Sequence, residues 1–215
     1  MTLDKEKIKQ SFSAAAHSYD SMAALQRGVG IDLLSKVKAE GVTDTVLDLG
    51  CGTGFLTAEL QSLLDCQNLV ALDIALPMLQ VAKQKKQQNT VNYLCADAER
   101  MPLADASVDQ LFSNLALQWC QQLPKVLKDF KRIIKNRGQL VFSTFGPATL
   151  QELKTAWAEV DDYSHVNEFY CQAQIEQFLR EAEFNITTVE SIVYHSTYTN
   201  VMELMKELKT IGAHN

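Results

Sequence analysis

The chain has 215 residues, 47% of them hydrophobic and 21% charged, with a formal net charge of −6 from 26 acidic and 20 basic residues. These values suit one globular domain with a sizeable core and argue against the basic excess of a nucleic-acid binder. No apolar run approaches the ~20 residues that span a bilayer, and the polar amino terminus does not read as a signal peptide, so the expectation is a cytoplasmic protein without a membrane or nucleic-acid partner.

Ile8, Phe12, Ala15, Ala16 and Tyr19 recur at helical spacing and predict an amphipathic helix over residues 4–18. A second helix over 23–39 carries Leu25, Val29, Leu33, Leu34 and Val37 on one face, with Gly41 expected to stop it. The pattern then alternates. Strands are predicted at Thr45–Leu49, Leu69–Asp73, Val91–Ala96, Val108–Asn114 and Gln139–Phe145, and helices at Phe55–Leu64, Pro77–Gln87 and Leu123–Lys135. Strands that read as continuous apolar runs between helices predict a mostly parallel sheet covered on both faces, in a doubly wound α/β fold. Beyond Phe145 come a helix at Ala148–Val160, a polar and aromatic loop at Asp161–Tyr170, a helix at Ala173–Ala182, a sixth strand at Ile186–Tyr194 and a last helix at Val201–Lys209.

The five cysteines (Cys51, Cys66, Cys95, Cys120 and Cys171) are dispersed, form no C-x-x-C pair and read as free thiols. His17, His165, His195 and His214 show no ligand spacing, so no metal is expected.

The richest stretch is Val46-Leu47-Asp48-Leu49-Gly50-Cys51-Gly52-Thr53-Gly54, an apolar strand running into a turn with glycines at alternate positions. Such a turn lets backbone meet a ligand beyond the carboxyl end of a strand. The spacing is not the G-x-G-x-x-G that brings a pyrophosphate onto a helix N-terminus. Asp73 closes the next strand, where a carboxylate accepts from ribose hydroxyls or caps the following helix. Asp97 follows the third strand, where it either accepts from an exocyclic amine or is a solvated loop residue. Asp48 can hold the turn or receive an ammonium group. Taken together, these positions suit a nucleoside that carries an amino acid and a positive sulfonium but no phosphate.

Val46–Gly54, Asp73, Asp97-Ala98 and Asp105-x-x-x-Asp109 resemble the class I S-adenosylmethionine-dependent methyltransferases over about residues 44–145. The resemblance implies that Gly50 and Gly52 approach the methionine part of S-adenosylmethionine, that Asp73 binds the ribose, and that Asp97 and Ala98 bind the adenine. Asp48, Cys51, Gly54 and Ile74 fall in the same cofactor-binding set. Asn114 would face the transferred methyl, with Leu115 against the cofactor.

The flanks narrow the resemblance. Phe12-Ser13-Ala14-Ala15-Ala16-His17-Ser18-Tyr19-Asp20 with Leu25-Gln26, Ser113-Asn114-Leu115-Ala116-Leu117-Gln118-Trp119, Thr144-Phe145-Gly146-Pro147-Ala148-Thr149-Leu150-x-Glu152-Leu153 and Leu208-Lys209-x-Ile211-Gly212-Ala213-x-Asn215 are similar to the malonyl-acyl-carrier-protein O-methyltransferases of biotin synthesis. This resemblance implies one domain over 1–215, divided into a helical lid at 1–40, a cofactor core at 44–145 and substrate-side elements at 146–215. It also implies a longer tail carrying a seventh, antiparallel strand, which is expected to be missing here. The implied reaction esterifies the free carboxylate of a malonyl thioester on acyl carrier protein, leaving S-adenosylhomocysteine. A malonyl carboxylate is ionised near neutral pH, since carboxyl pKa values lie near ~4, so orienting groups are expected rather than a base. Tyr19 and Asn114 are the expected catalytic positions. Tyr19, Gln118, Trp119, Lys206 and Lys209 are expected to meet the substrate, the two lysines facing an acidic carrier protein. The stripe Lys125, Lys128, Lys131, Arg132 and Lys135 reads at least as well as a solvated face. The chain is expected to be monomeric. Two other readings stay open: a methyltransferase for another small acid or metabolite, and a cofactor-binding protein without turnover.

Overall fold

The computed structural model describes residues 4–37, 43–64, 66–85, 91–163 and 165–212. Five parallel strands form its sheet: β1 (Thr45–Leu49), β2 (Asn68–Asp73), β3 (Val91–Cys95), β4 (Val108–Asn114) and β5 (Ile134–Ser143), in the order β3-β2-β1-β4-β5. Val46 is opposite Leu69 on one side and Gln110 on the other, so β1 is central and its side chains are buried on both faces. Alternation along the strands then sorts the core. Leu47, Leu49 and Leu111 point to one face, and Val46 and Phe112 to the other.

The first face is covered by α6 (Leu123–Ile133), whose Leu123, Val126, Leu127, Phe130 and Ile133 form a continuous buried stripe, and by α8 (Gln172–Glu181), which adds Ile175 and Leu179. The second face is covered by α3 (Ala24–Leu34) and α4 (Phe55–Leu64) through Leu34, Leu60 and Leu64. Next to them α5 (Leu76–Gln84) packs Leu79 on Ala71. Helix α1 (Lys5–Ala15) starts at Asp4, whose side chain accepts from the amides of Glu6 and Lys7, and packs Ala15 against Ala75 and Met78 around α5. A single-turn α2 (Tyr19–Met22) follows it. On the periphery lie α7 (Gln151–Ala158) and α9 (Val201–Thr210), neither with a buried residue. No described helix is long and apolar enough to cross a membrane.

The stripe predicted on the first helix is the one that packs, and the glycine turn, β1 and β4 fall where the sequence puts them. Two differences have physical causes. Helix α6 stops at Ile133 rather than Lys135, because Ile134 goes extended and pairs with Val108, so β5 begins at once; its register slips before Gln110 meets Gln139. The expected sixth strand at Ile186–Tyr194 is not a strand in the structure. Its β-branched residues have no ladder to join, and β-propensity expresses a fit to a neighbouring strand more than a backbone preference. The segment instead ties to α3 and the residues just after it, with Tyr194 Oη donating to Asp32 at 2.6 Å and Lys36 Nζ at 2.9 Å from Glu190. Among the described residues the sheet therefore has five strands. Gly41, the ends of the helices predicted to reach residues 39 and 87, and Ala213-His214-Asn215 of the last motif lie outside the described residues.

Candidate active site

Strand order reverses between β1 and β4, and there the following loops part at the carboxyl ends of the strands to leave a crevice. A cleft of about 730 Å³, counting its open mouth, lies at this point. Gly50 and Gly52 after β1, Asp73 and Ile74 at β2, Asp97 and Ala98 after β3, and Asn114 and Leu115 at β4 line its floor. Lys5, Ile8 and Phe12 of α1 and Tyr19 of α2 line its roof.

The turn is built for backbone contact. Gly50 and Gly52 take φ of +71° and +55°. A Cβ on Gly50 would stand 2.4 Å from Cβ of Ala116, whereas one on Gly52 would meet nothing within 4 Å. Gly52 thus presents bare backbone to open space. Asp73 holds this arrangement from below. One of its oxygens accepts from the Gly52 amide at 2.9 Å, and the other accepts from the Ala75 amide at 2.8 Å and so also orders the entry to α5. Asp48 lies deeper, 2% exposed, and accepts from the Thr57 hydroxyl at 2.6 Å. Burial pushes the Asp48 carboxyl up to about 7, with the Thr57 bond opposing and the Asp73 charge adding to it. Burial likewise raises Asp73 to about 6, against the backbone amides that favour its ionised form. Among the described residues no cation pairs with either carboxylate. Cys51 turns away from the cleft to pack on Ala71 and Leu79, its thiol pushed far up by burial first and then by Asp48 and Asp73. Gly54 closes the turn, donating to the Cys51 carbonyl at 2.9 Å as α4 begins.

At the far end of the cleft one Asp97 oxygen accepts from Lys5 Nζ at 2.9 Å and from the Glu99 amide at 3.0 Å, and Lys5 also lies 3.4 Å from Glu99. Sequence reasoning missed Lys5. The available signal was a charge on the same helical stripe as Ile8, Phe12 and Tyr19. Phe12 meets Trp119 edge to face at 5.5 Å, closing the roof onto the 3-10 turn Leu117–Trp119. Beside it Cys120 lines the cleft, its thiol pushed up to about 12 chiefly by burial.

Asn114 sits in the floor with both ends of its amide engaged: Nδ2 donates to the Gln26 carbonyl at 2.9 Å and Oδ1 accepts from the Ser143 hydroxyl at 2.8 Å. The Leu115 amide donates to the same hydroxyl at 3.0 Å, and Leu115 is held at a left-handed φ of +47°. Left-handed backbone at a branched residue persists only where its surroundings impose it, and such strain concentrates at working sites. Ser143, at the end of β5, is thus a second residue the sequence did not reveal. Tyr19 is desolvated in the cleft. Burial, then the charges of Asp73 and Asp20, push its phenol further up, and among the described residues its Oη has no hydrogen-bond partner. Gln118 does not line the cleft; its amide nitrogen donates to the Leu115 carbonyl at 2.6 Å, leaving Oε1 buried without a partner among the described residues. Lys206 and Lys209 are exposed on α9, which leans on α2, and the structure does not bring them into the cleft.

These groups fit S-adenosylmethionine by their chemistry. Two buried carboxylates without a cation suit a positive ligand. Asp73 and Asp97 keep accepting capacity toward hydroxyl and amine groups, and the Gly52 backbone leaves room for the methionine chain.

A family profile described as a methyltransferase domain matches residues 47–142. The chain is 42% identical over 216 residues to the malonyl-acyl-carrier-protein O-methyltransferase of Methylococcus capsulatus (strain ATCC 33009 / NCIMB 11132 / Bath), a match that takes in 100% of this chain and 78% of that protein. It is 41% identical over 213 residues to the biotin biosynthesis bifunctional protein BioHC of Cellvibrio japonicus (strain Ueda107), where it spans 99% of this chain and 42% of the longer protein. In fold it is similar to an S-adenosylmethionine-dependent methyltransferase from Mesorhizobium loti, with a TM-score of 0.64 at 19% identity over 86% of this chain and 92% of that one. With this likeness over its whole described length and a glycine-turn cleft at the switch point of its sheet, the chain belongs to the malonyl-acyl-carrier-protein O-methyltransferase family, on the class I methyltransferase fold.

Proposed function

We propose that the chain transfers a methyl group from S-adenosylmethionine to the free carboxylate of a malonyl thioester on acyl carrier protein, giving the methyl ester and S-adenosylhomocysteine, as an early step of biotin synthesis. The observation that carries this reading is the convergence of Gly50, Gly52, Asp73 and Asp97 on one cleft, in a chain whose relatives bear that activity in their names.

When bound, S-adenosylmethionine supplies an electrophilic methyl on a sulfonium. The residues of the chain then bind, orient and exclude water. Asp73 is the group for the ribose hydroxyls, and Asp97 with Ala98 for the adenine, beside Ile74. Gly50 and Gly52 receive the methionine part over Asp48. A bound cation favours the ionised forms of Asp48 and Asp73, so binding and ionisation support each other. Tyr19 keeps its proton, because burial raises its pKa, and so acts as a hydrogen-bond donor to an oxygen of cofactor or substrate. Asn114, fixed at both ends, acts as the rigid surface against which acceptor and methyl are aligned. Alignment of this kind supplies several kcal/mol, roughly 7–11 at the upper end. Masking the malonyl carboxylate as an ester removes a charge that later chain-extending enzymes would have to bury. Trp119 stands on the acyl side, and the exposed Lys206 and Lys209 face an acidic carrier protein, where charge complementarity steers encounter.

The test is methyl transfer in vitro from labelled S-adenosylmethionine. Label is expected on malonyl-acyl-carrier protein as an alkali-labile ester, and the chain is expected to restore growth of a strain that lacks this step of biotin synthesis. Label confined to free malonate or other small acids would show that the acceptor is wrong.

A further inference from the structure

Asp20 lies outside the cleft, yet three elements converge on it. It is the second residue of α2, directly after Tyr19. One carboxylate oxygen accepts from the Thr53 hydroxyl at 2.5 Å, the other from Lys85 Nζ at 2.5 Å, and its carbonyl accepts from Arg27 Nη1 at 2.6 Å. Thr53 is 2% exposed and stands between Gly52 and Gly54. Lys85 caps the C-terminus of α5. The Arg27 guanidinium also rests 5.8 Å from the ring centre of Phe55, the first residue after the turn. Burial works against the Asp20 charge, but the bonds from Lys85 and Thr53 outweigh it and hold the carboxyl below its usual range.

Apart from these bonds, α2 is held by the packing of Tyr19 against Ala15, Ala16, Ala75 and Met78 and by its contact with α9. It is one turn long, its Tyr19 is partly buried, and no side chain caps its N-terminus. Isolated turns of this length do not form, because nucleation costs more than one or two hydrogen bonds return. The Asp20 bonds run from α2 to the very turn that receives the ligand, and they end one residue away from the Tyr19 phenol in the roof.

We propose that Asp20 is a positioning residue, a latch that fastens the α1–α2 segment to the glycine turn through Thr53 and thereby governs affinity for the cofactor rather than for the acyl acceptor. The proposal rests on the functional reading above for the identity of the ligand. Its geometry rests on the bonds from Thr53, Lys85 and Arg27.

The experiment compares wild-type chain with Asp20→Ala, Asp20→Asn, Thr53→Val and the Asp20→Ala/Thr53→Val double variant. Calorimetry with S-adenosylhomocysteine and steady-state kinetics with malonyl-acyl-carrier protein are the binding readouts. Asp20→Ala is expected to weaken S-adenosylhomocysteine binding and raise KM for S-adenosylmethionine by about fivefold or more, with KM for the acceptor within about twofold of wild type. Asp20→Asn, which keeps an acceptor for Thr53, is expected to recover part of the affinity, and the double variant to be no worse than the worse single one. In ligand-free chain, amide exchange over residues 16–22 is expected to quicken in Asp20→Ala while β1 and β4 stay protected, which reports that the variant is folded. Unchanged cofactor affinity in Asp20→Ala, unchanged exchange, or an equal rise in acceptor KM overturns the latch. Wild-type chain that binds S-adenosylhomocysteine but methylates no malonyl-acyl-carrier protein overturns the proposed acceptor alone, and wild-type chain that binds no S-adenosylhomocysteine overturns both.

Discussion

Alanine at Gly50 would put a methyl group 2.4 Å from Cβ of Ala116 on backbone held at φ +71°, whereas alanine at Gly52 would meet nothing within 4 Å at φ +55°. The first change therefore combines left-handed strain with overpacking, and Gly50→Ala is expected to lower stability by about 2–4 kcal/mol in denaturant titration. Gly52→Ala bears the strain alone, about 1–2 kcal/mol, but sends its methyl into the cleft. It is expected to leave a folded chain whose S-adenosylhomocysteine affinity in calorimetry falls more than about tenfold. Equal stability losses in the two variants would contradict the packing described. Lys5 makes a second residue-scale case. Its pair with Asp97 is partly exposed, and such pairs contribute ~0–1 kcal/mol, so Lys5→Met is expected to leave the melting temperature nearly unchanged. Its effect belongs in cofactor affinity, because Lys5 stands on the carboxylate proposed for the adenine amine.

At the scale of elements, α6 and α2 are opposites. Helix α6 declares itself by an apolar stripe of five residues, all of them buried, and its lysines at 125, 128 and 131 are exposed. Phe130→Ala removes a fully buried ring and is expected to cost about 3–5 kcal/mol in urea unfolding, against less than about 0.5 kcal/mol for Lys128→Gln. The basic stripe is partly committed elsewhere: Arg132 pairs with Asp105 and Asp129, and Lys135 with Asp109. Helix α2 has no such stripe, and beyond the packing of Tyr19 its position comes from the Asp20 bonds to Thr53 and Lys85, far along the chain. The Ile186–Tyr194 segment shows the same dependence in reverse. Its composition is that of a strand, but pairing is a property of two segments, and its bonded partners are on and beside α3.

For the molecule as a whole, the two buried carboxylates set a direction for pH dependence. Asp48 and Asp73 titrate near ~4 in the unfolded chain, whereas in the folded chain burial holds them up to about 7 and about 6. Between those values the folded state binds more protons than the unfolded one, so stability falls as pH rises through this window. Asp20 and Asp109, kept ionised by Lys85 and Lys135 despite burial, act with the opposite sign, and their contribution is lost only as pH falls below ~4. The melting temperature is expected to decline between about pH 4 and pH 7, with Asp48→Asn flattening the slope. S-adenosylmethionine, which is cationic, is expected to restore more of the loss at the alkaline end than S-adenosylhomocysteine does. A wild-type melting temperature that climbs across the same interval, with no change in Asp48→Asn, would refute this account.

The parallel sheet, its glycine turn and the carboxylates at its strand ends are legible along the chain, since each depends on local periodicity, on residues that tolerate φ above zero, or on a polar side chain ending an apolar run. The sequence also carries the family, through motifs spread from Phe12 to Gly212. Long-range packing alone brings Lys5 to Asp97, engages Asn114 at both ends with Ser143 and Gln26, ties α2 to Thr53 through Asp20, and keeps Ile186–Tyr194 out of the sheet. Each of these joins residues distant in the chain, and a hydrogen bond between distant residues has no periodicity of its own. Folding creates it by placing strand ends, turn and roof helices around one cleft.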